Sequence, residues 1–416
     1  RTEDGNAMLS HTSNLHRWLT MASLMLAGEA IFLLPYMRKT FQTSLEEVFR
    51  ISSFELGFLS SMFGLLALAC YLPGGWLADR ISVRRLLSFS LIATGAGGLV
   101  MLAIPTYPLM LALHAFWGVT SILTFWAALL KATRLWGTSE TQGTSFGLLE
   151  GGRGATAAVM ATLASTAFAF AGGDANPRAG LVAVIYVYTG APLLSGIIVW
   201  FLLAEDPPMR GTAKSSAEGL LRRALTTPKV WFMAGIIFFA YLIFTGSYYF
   251  PAYAERGLGE SKLFGAQLGT FRDWLRPIAA IFAGLIADKI GVTRGITIGF
   301  STLALLYGSL WAVPSSASSY QLLFAQVAVI SVMLFALRGI YFALMEECRI
   351  PLALTGISIG LVSMIAYTPD IFSHLIAGWF LDTHAGAEGF RYFFAFLATI
   401  ATAGLALILT LNRRLQ

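Results

Sequence analysis

Apolar stretches of about twenty residues, separated by short polar connections, recur along the whole chain. Twelve fall at 16–38, 54–79, 85–104, 107–131, 143–170, 180–204, 229–252, 263–287, 294–314, 319–345, 353–381 and 389–411. A bilayer core about 30 Å thick needs roughly 20 apolar residues per helix. The pattern therefore predicts an all-α membrane protein with twelve transmembrane helices. The connections alternate in charge. Arg17, Arg80, Arg84, Arg85, Lys131, Arg134, Arg210, Lys214, Arg222, Arg223, Lys229, Lys289, Arg294, Arg349, Arg413 and Arg414 share one side. Arg38, Lys39, Arg50, Arg178, Arg256, Lys262 and Arg391 share the other. The cation-rich side is the cytoplasmic one, which places both termini in the cytoplasm.

Composition supports this reading. Hydrophobic residues are 56% and charged residues 12%, against about 25% charged in soluble domains. The net charge of +6 is explained by topology and implies no nucleic-acid partner. Cys70 and Cys348 lie in or beside apolar runs and are expected to be unpaired and structural. The first apolar run is too long for a cleavable signal peptide, and no small-residue cleavage site follows it. Residues 1–7 are mostly polar, precede Met8 and are set aside. The expected organisation is a tail at 1–15, a six-helix bundle at 16–204, a cytoplasmic linker at 205–228, a second bundle at 229–411 and a tail at 412–416. Leu221 and Leu225 in the linker share a helical face beside Arg222 and Arg223. That predicts a short amphipathic helix at the interface.

One signature occurs twice. Gly75-Trp76-Leu77-Ala78-Asp79-Arg80, followed by Arg84 and Arg85, returns 209 residues later as Gly284-Leu285-Ile286-Ala287-Asp288-Lys289, followed by Arg294. A signature repeated at half the chain length implies two copies of one unit, so the helices are expected to form two pseudo-symmetric six-helix bundles. An aspartate at the end of a membrane helix is costly unless paired, and Arg80 and Arg85 are near enough to answer Asp79.

These residues, in the loops after the second and eighth of twelve helices, resemble the signature of the major facilitator superfamily. Ser82 departs from it where glycine is usual; Gly291 keeps it. The resemblance implies secondary transport by alternating access. It also implies a gating role for Gly75, Asp79, Arg80, Arg85, Gly284, Asp288, Lys289 and Arg294. The stretches Leu72 to Trp76, Phe125 to Arg134 and Phe146 to Gly154 are similar to a bacterial branch labelled nitrate/nitrite-like or sulfolipid and organic-anion porters. That implies a home in the bacterial inner membrane. The arginine that nitrate porters carry in the second helix is missing before Arg80.

Ionisable residues inside spans are read as functional by default. They are Glu29, His114, Glu150, Arg153, Arg272, Asp273, Arg276, Arg338, Asp370 and His374. Glu150 and Arg153 are three apart and can face each other. Arg272 and Arg276 share a face, while Asp273 points about 100° away from Arg272. Asp273 is therefore expected to leave part of that positive charge facing a cavity. Arginine forks suit carboxylate, sulfonate or phosphate. The candidate substrate-binding residues are Arg153, Arg272, Arg276, Arg338 and Tyr241. The candidate proton-coupling residues are Glu29, Asp370, His114, Glu150 and Asp273. The bland alternative is a set of internal ion pairs that fix helix packing.

No Gly-x-x-x-x-Gly-Lys-Ser/Thr loop occurs, and no His/Cys cluster has metal spacing. An enzyme is not expected, nor a cofactor beyond a coupling ion such as a proton. The expected function is secondary transport, by symport or antiport, of a small polar metabolite, anionic or zwitterionic. The expected partners are that substrate and membrane lipids, and one chain suffices as a monomer. The alternative is a multidrug or siderophore exporter, which the aromatic seventh helix favours.

Overall fold

A computed structural model of the chain describes residues 14–78, 80–137, 142–205, 217–312, 320–350 and 352–415. Twelve helical passes follow one another. The first half contains Asn14–Leu33 continuing as Arg38–Phe49, then Ser53–Ala78, Val83–Leu102, Tyr107–Ser121 extended through Ala127–Trp136, Gln142–Phe170 and Pro177–Leu202. The second contains Pro228–Gly246 continuing to Gly257, then Lys262–Ile290, Val292–Ala312, Tyr320–Ile340 extended to Glu347, Leu352–Ala366 with Pro369–Thr383, and Ala387–Leu415. These are called helices 1 to 12. Ten meet the length and apolarity of a membrane span. The remaining two, helices 5 and 8, are each 29 residues long and carry Glu150, Arg153, Arg272, Asp273 and Arg276. An even number of passes returns both chain ends to one side.

Each half has its own core. One joins buried side chains from Leu24 to Leu203, with Ala266 from helix 8. The other runs from Val230 to Leu411. Cys70 and Cys348 are free, as expected, and buried. The linker contains a ten-residue helix, Ala217–Thr226, at the place where an amphipathic helix is expected.

Two helices run further than their apolar runs. Helix 1 is expected to end at 38. Instead it breaks at residues 34–37 and resumes to Phe49. Pro35 lacks an amide proton and crowds the preceding turn, which accounts for the break. Helix 7 is expected to end at 252. It tightens into a 3₁₀ turn at Ser247–Tyr249 and continues to Gly257. Pro251 has no N–H for the Ser247 carbonyl, and Arg272 Nη1 donates to that oxygen at 3.2 Å. The two breaks occupy equivalent places in the halves. Helix 11 is broken before Pro369, as the sequence implies; the freed Ile365 carbonyl accepts from Thr368 Oγ1 at 2.7 Å.

The extensions correct the reading of the cations. Arg38 and Lys39 are not loop residues. Arg38 is buried, and Lys39 pairs with Asp273 at 3.0 Å. Arg256 lies on the extension of helix 7.

Candidate functional site

Halfway along the bundle, four charged side chains meet. Arg153 Nη1 donates to Glu150 Oε1 at 2.6 Å, and its Nη2 lies 3.6 Å from Glu29 Oε2. Arg153 Nε donates to the Gly28 carbonyl at 2.9 Å. The guanidinium carbon lies 5.3 Å from the Trp126 ring centre and 5.7 Å from that of Phe32. From the opposite half, Arg276 reaches Glu29 and Glu150, each at 3.5 Å. The quartet is neutral, and it joins helices 1 and 5 to helix 8. Glu150 is 53% exposed although it lies inside helix 5, so the quartet borders open space between the halves.

Beside it, on the second half, is a tyrosine-rich site. Asp370 accepts from the Tyr241 hydroxyl at 2.9 and 3.0 Å and from the Tyr36 hydroxyl at 3.2 Å. Tyr36 belongs to the first half and Tyr241 to the second, so this carboxylate also bridges them. Tyr367 stacks edge-on to Tyr241 with ring centres 4.8 Å apart, and its hydroxyl meets that of Tyr341 at 3.2 Å. Arg338 lies over Phe244 at 4.2 Å and Tyr241 at 5.5 Å. Among the described residues, no carboxylate comes within 4.0 Å of Arg338. It thus differs from Arg153, Arg272 and Arg276, all of which are ion-paired.

Arg272 is the clearest correction. Its guanidinium folds back onto the neighbouring Asp273 at 2.8 Å, and both side chains are 3% exposed. A long arginine side chain covers the angular separation that helix geometry suggests. Lys39 answers the other carboxylate oxygen. Arg272 and Lys39 thus share the single buried carboxylate of Asp273, while Arg276 is answered by Glu29 and Glu150. His114 is also apart from the central groups. It is buried, its Nδ1 is 2.9 Å from the Met110 carbonyl, and its ring lies 5.0 Å from Trp117. His374 stands 3.1 Å from the Tyr249 hydroxyl.

The signature loops are partly described. Arg84 bonds to Glu205 at 2.9 Å and Arg85 also pairs with Glu205. Arg80 lies 4.0 Å over the Trp76 ring. Gly75 has open space where a side chain would stand, and Lys289 and Arg294 are exposed. Asp79 and the surroundings of Gly284 and Asp288 lie outside the described residues.

Sequence reasoning missed the groups that seal the end opposite the termini. Arg38 donates to Tyr249 at 2.8 Å and to Gln42 at 3.2 Å. Gln42 passes the chain to Glu46 at 2.8 Å, and Glu46 pairs with Arg256. Thr43 bonds to Glu255, and Lys262 pairs with Glu47 at 2.8 Å. Asp382 accepts from the Ser53 and Phe54 amides, and Asp174 from the Leu263 amide at 2.9 Å. The four-residue spacing of Arg38, Gln42 and Glu46 could have shown a polar stripe, had helix 1 been read past its apolar run. Among the described residues, no hydrogen bond or ion pair joins the halves nearer the termini than the central quartet.

Comparison with known proteins agrees with this architecture. Residues 18–348 match the family model described as Major Facilitator Superfamily. Two curated Escherichia coli K12 proteins are similar over nearly their whole length. "Inner membrane protein YqcE" is 28% identical over 411 residues, covering 97% of this chain and 95% of the relative. "Inner membrane protein YihN" is 29% identical over 410 residues, covering 96% of each. Among solved structures, a bacterial homolog of the human lysosomal transporter Spinster, inward-facing and unoccupied, superposes with a TM-score of 0.78 at 13% identity. That match covers 97% of this chain and 98% of the other. A mutant form of the nucleoside transporter NupG gives 0.76 at 11% identity, covering 95% and 99%. At such identities the likeness is one of fold.

Proposed function

The chain belongs to the major facilitator superfamily of transporters, and we propose that it carries a small organic anion across the bacterial inner membrane by alternating access, coupled to a proton. Arg338 is the anion anchor. The observation behind this is that, among the described residues, it has no carboxylate partner while it lies against Phe244 and Tyr241. A half-buried guanidinium attracts an anion more strongly than one in open water, and its fork suits a carboxylate, sulfonate or phosphate. Asp370 is the proton carrier. It touches Tyr241 and Tyr36 from opposite halves, so its charge bears on how the halves sit together. Arg276 holds the halves through Glu29 and Glu150, with Arg153 fixing both carboxylates.

With the cation-rich loops in the cytoplasm, the sealed end is extracytoplasmic and this conformation opens inward. The test is a thermal-shift screen of the purified protein against carboxylates, sulfonates, phosphates and nitrate. At about 100 times its dissociation constant, a ligand stabilises by about 2.7 kcal/mol. An anion that stabilises the wild type and loses its effect in Arg338→Lys supports the anchor; retained stabilisation overturns it. The aromatic wall of Tyr36, Phe63, Tyr241, Phe244 and Tyr248 favours a second reading, an exporter of lipophilic compounds. Stabilisation by these compounds alone would select it.

A further inference from the structure

At the end that carries the chain termini, helices 7 and 12 enclose a cavity of about 350 Å³ lined by Thr227, Pro228, Lys229, Phe232, Leu411 and Arg414. We propose that this cavity seats the phosphate of an anionic phospholipid from the leaflet on that side, with an acyl chain against Pro228 and Phe232. The site is independent of the transported substrate.

Among the described residues its lining carries two cations and no carboxylate. Lys229 donates to the Cys348 carbonyl at 2.9 Å. That bond fixes the ammonium at the rim and leaves two of its three donors for another acceptor. Arg414 lies 4.9 Å over the Phe232 ring, and among the described residues it forms no ion pair. The ring face holds the guanidinium by cation–π attraction. The other wall is Pro228, Phe232 and Leu411. A soluble anion has no use for that surface, whereas an amphiphile uses both walls.

The depth also fits a headgroup. Trp231, next to the cavity in sequence, is 47% exposed and donates to the Leu225 carbonyl at 2.8 Å. Tryptophans gather at the membrane–water boundary. Arg222 and Arg223, on the linker helix that leads into helix 7, are exposed and add positive charge there. Basic pockets between membrane helices on the cytoplasmic side bind anionic lipid headgroups.

The test is native mass spectrometry of the full-length protein in detergent with phosphatidylglycerol or phosphatidylcholine. Wild-type protein should retain phosphatidylglycerol about tenfold better, in line with the attraction of two basic residues. The preference should fall to the phosphatidylcholine level in Lys229→Gln/Arg414→Gln. Arg413→Gln, just outside the cavity, should keep it. Arg414→Gln alone, at the exposed chain end, should lose most of it even where the double variant folds poorly. Equal retention of both lipids by the wild type overturns the proposal. So does an unchanged preference in Arg414→Gln. A thermal shift with inorganic phosphate equal to that with phosphatidylglycerol also overturns it and assigns the cavity to a soluble anion.

Discussion

Asp382, at the end of helix 11, accepts a hydrogen bond from the backbone N–H of Phe54 at 2.7 Å, at the start of helix 2 in the opposite half. Asp174 does the same for Leu263 at the start of helix 8. Phe54 and Leu263 are 209 residues apart, the offset of the repeated signature. Each half thus supplies a carboxylate that caps a helix of the other, where free amides and the helix dipole favour negative charge.

Asp382→Ala should weaken the seal between the halves. Loss of an aspartate cap costs about 0.5–2 kcal/mol, and 1.4 kcal/mol is a tenfold shift between open and closed forms. A cysteine placed at Ser52 should react with an impermeant maleimide several-fold to about tenfold faster in the variant. An unchanged rate would remove the cap from the seal.

Arg276→Gln should leave Glu29 and Glu150 short of one cation. Breaking a buried pair costs about 3–5 kcal/mol; Arg276 is 19% exposed on its side chain, so a loss on the order of 2 kcal/mol is expected. Adding Glu29→Gln should restore part of it. A double-mutant cycle by denaturation measures the coupling, and additive losses would dissolve the quartet as a unit.

Asp370→Asn should abolish proton-driven accumulation while exchange of substrate across the membrane continues, because Arg338, the proposed anchor, remains. Reconstituted vesicles with and without a pH gradient separate the two. Accumulation that survives the substitution would exclude Asp370 as the proton carrier.

Gly98→Ala should destabilise by about 1–3 kcal/mol, the usual cost of overpacking. Its new methyl would stand 2.2 Å from Thr189 Oγ1. Gly151→Ala, with nothing within 4 Å, should be neutral within about 0.5 kcal/mol. Melting temperatures of the two variants give the comparison.

The twelve passes were legible because lipid demands long apolar runs, and the two halves because Asp79 and Asp288 carry the same flanks. The Glu150–Arg153 contact was legible from helical spacing. The breaks in helices 1 and 7 were not. A hydrophobic count stops at Arg38, whose partner Tyr249 is 211 residues away. Arg272 was misjudged because angular position was weighed without the reach of the side chain. That Arg338 meets no carboxylate among the described residues was invisible to counting, which found four arginines and four carboxylates without knowing which of them meet.

The neutrality of the Glu29–Arg153–Glu150–Arg276 quartet bears on energetics at the membrane potential. On the proposed function the quartet cancels, an ionised Asp370 offsets Arg338, and the site formed by these six groups carries no net charge when empty. A monoanion entering with one proton on Asp370 leaves it uncharged again. Moving one net charge across 100 mV costs about 2.3 kcal/mol, and such a carrier avoids that cost on both legs of its cycle. Its direction is then set by the gradients of the anion and the proton, independent of voltage.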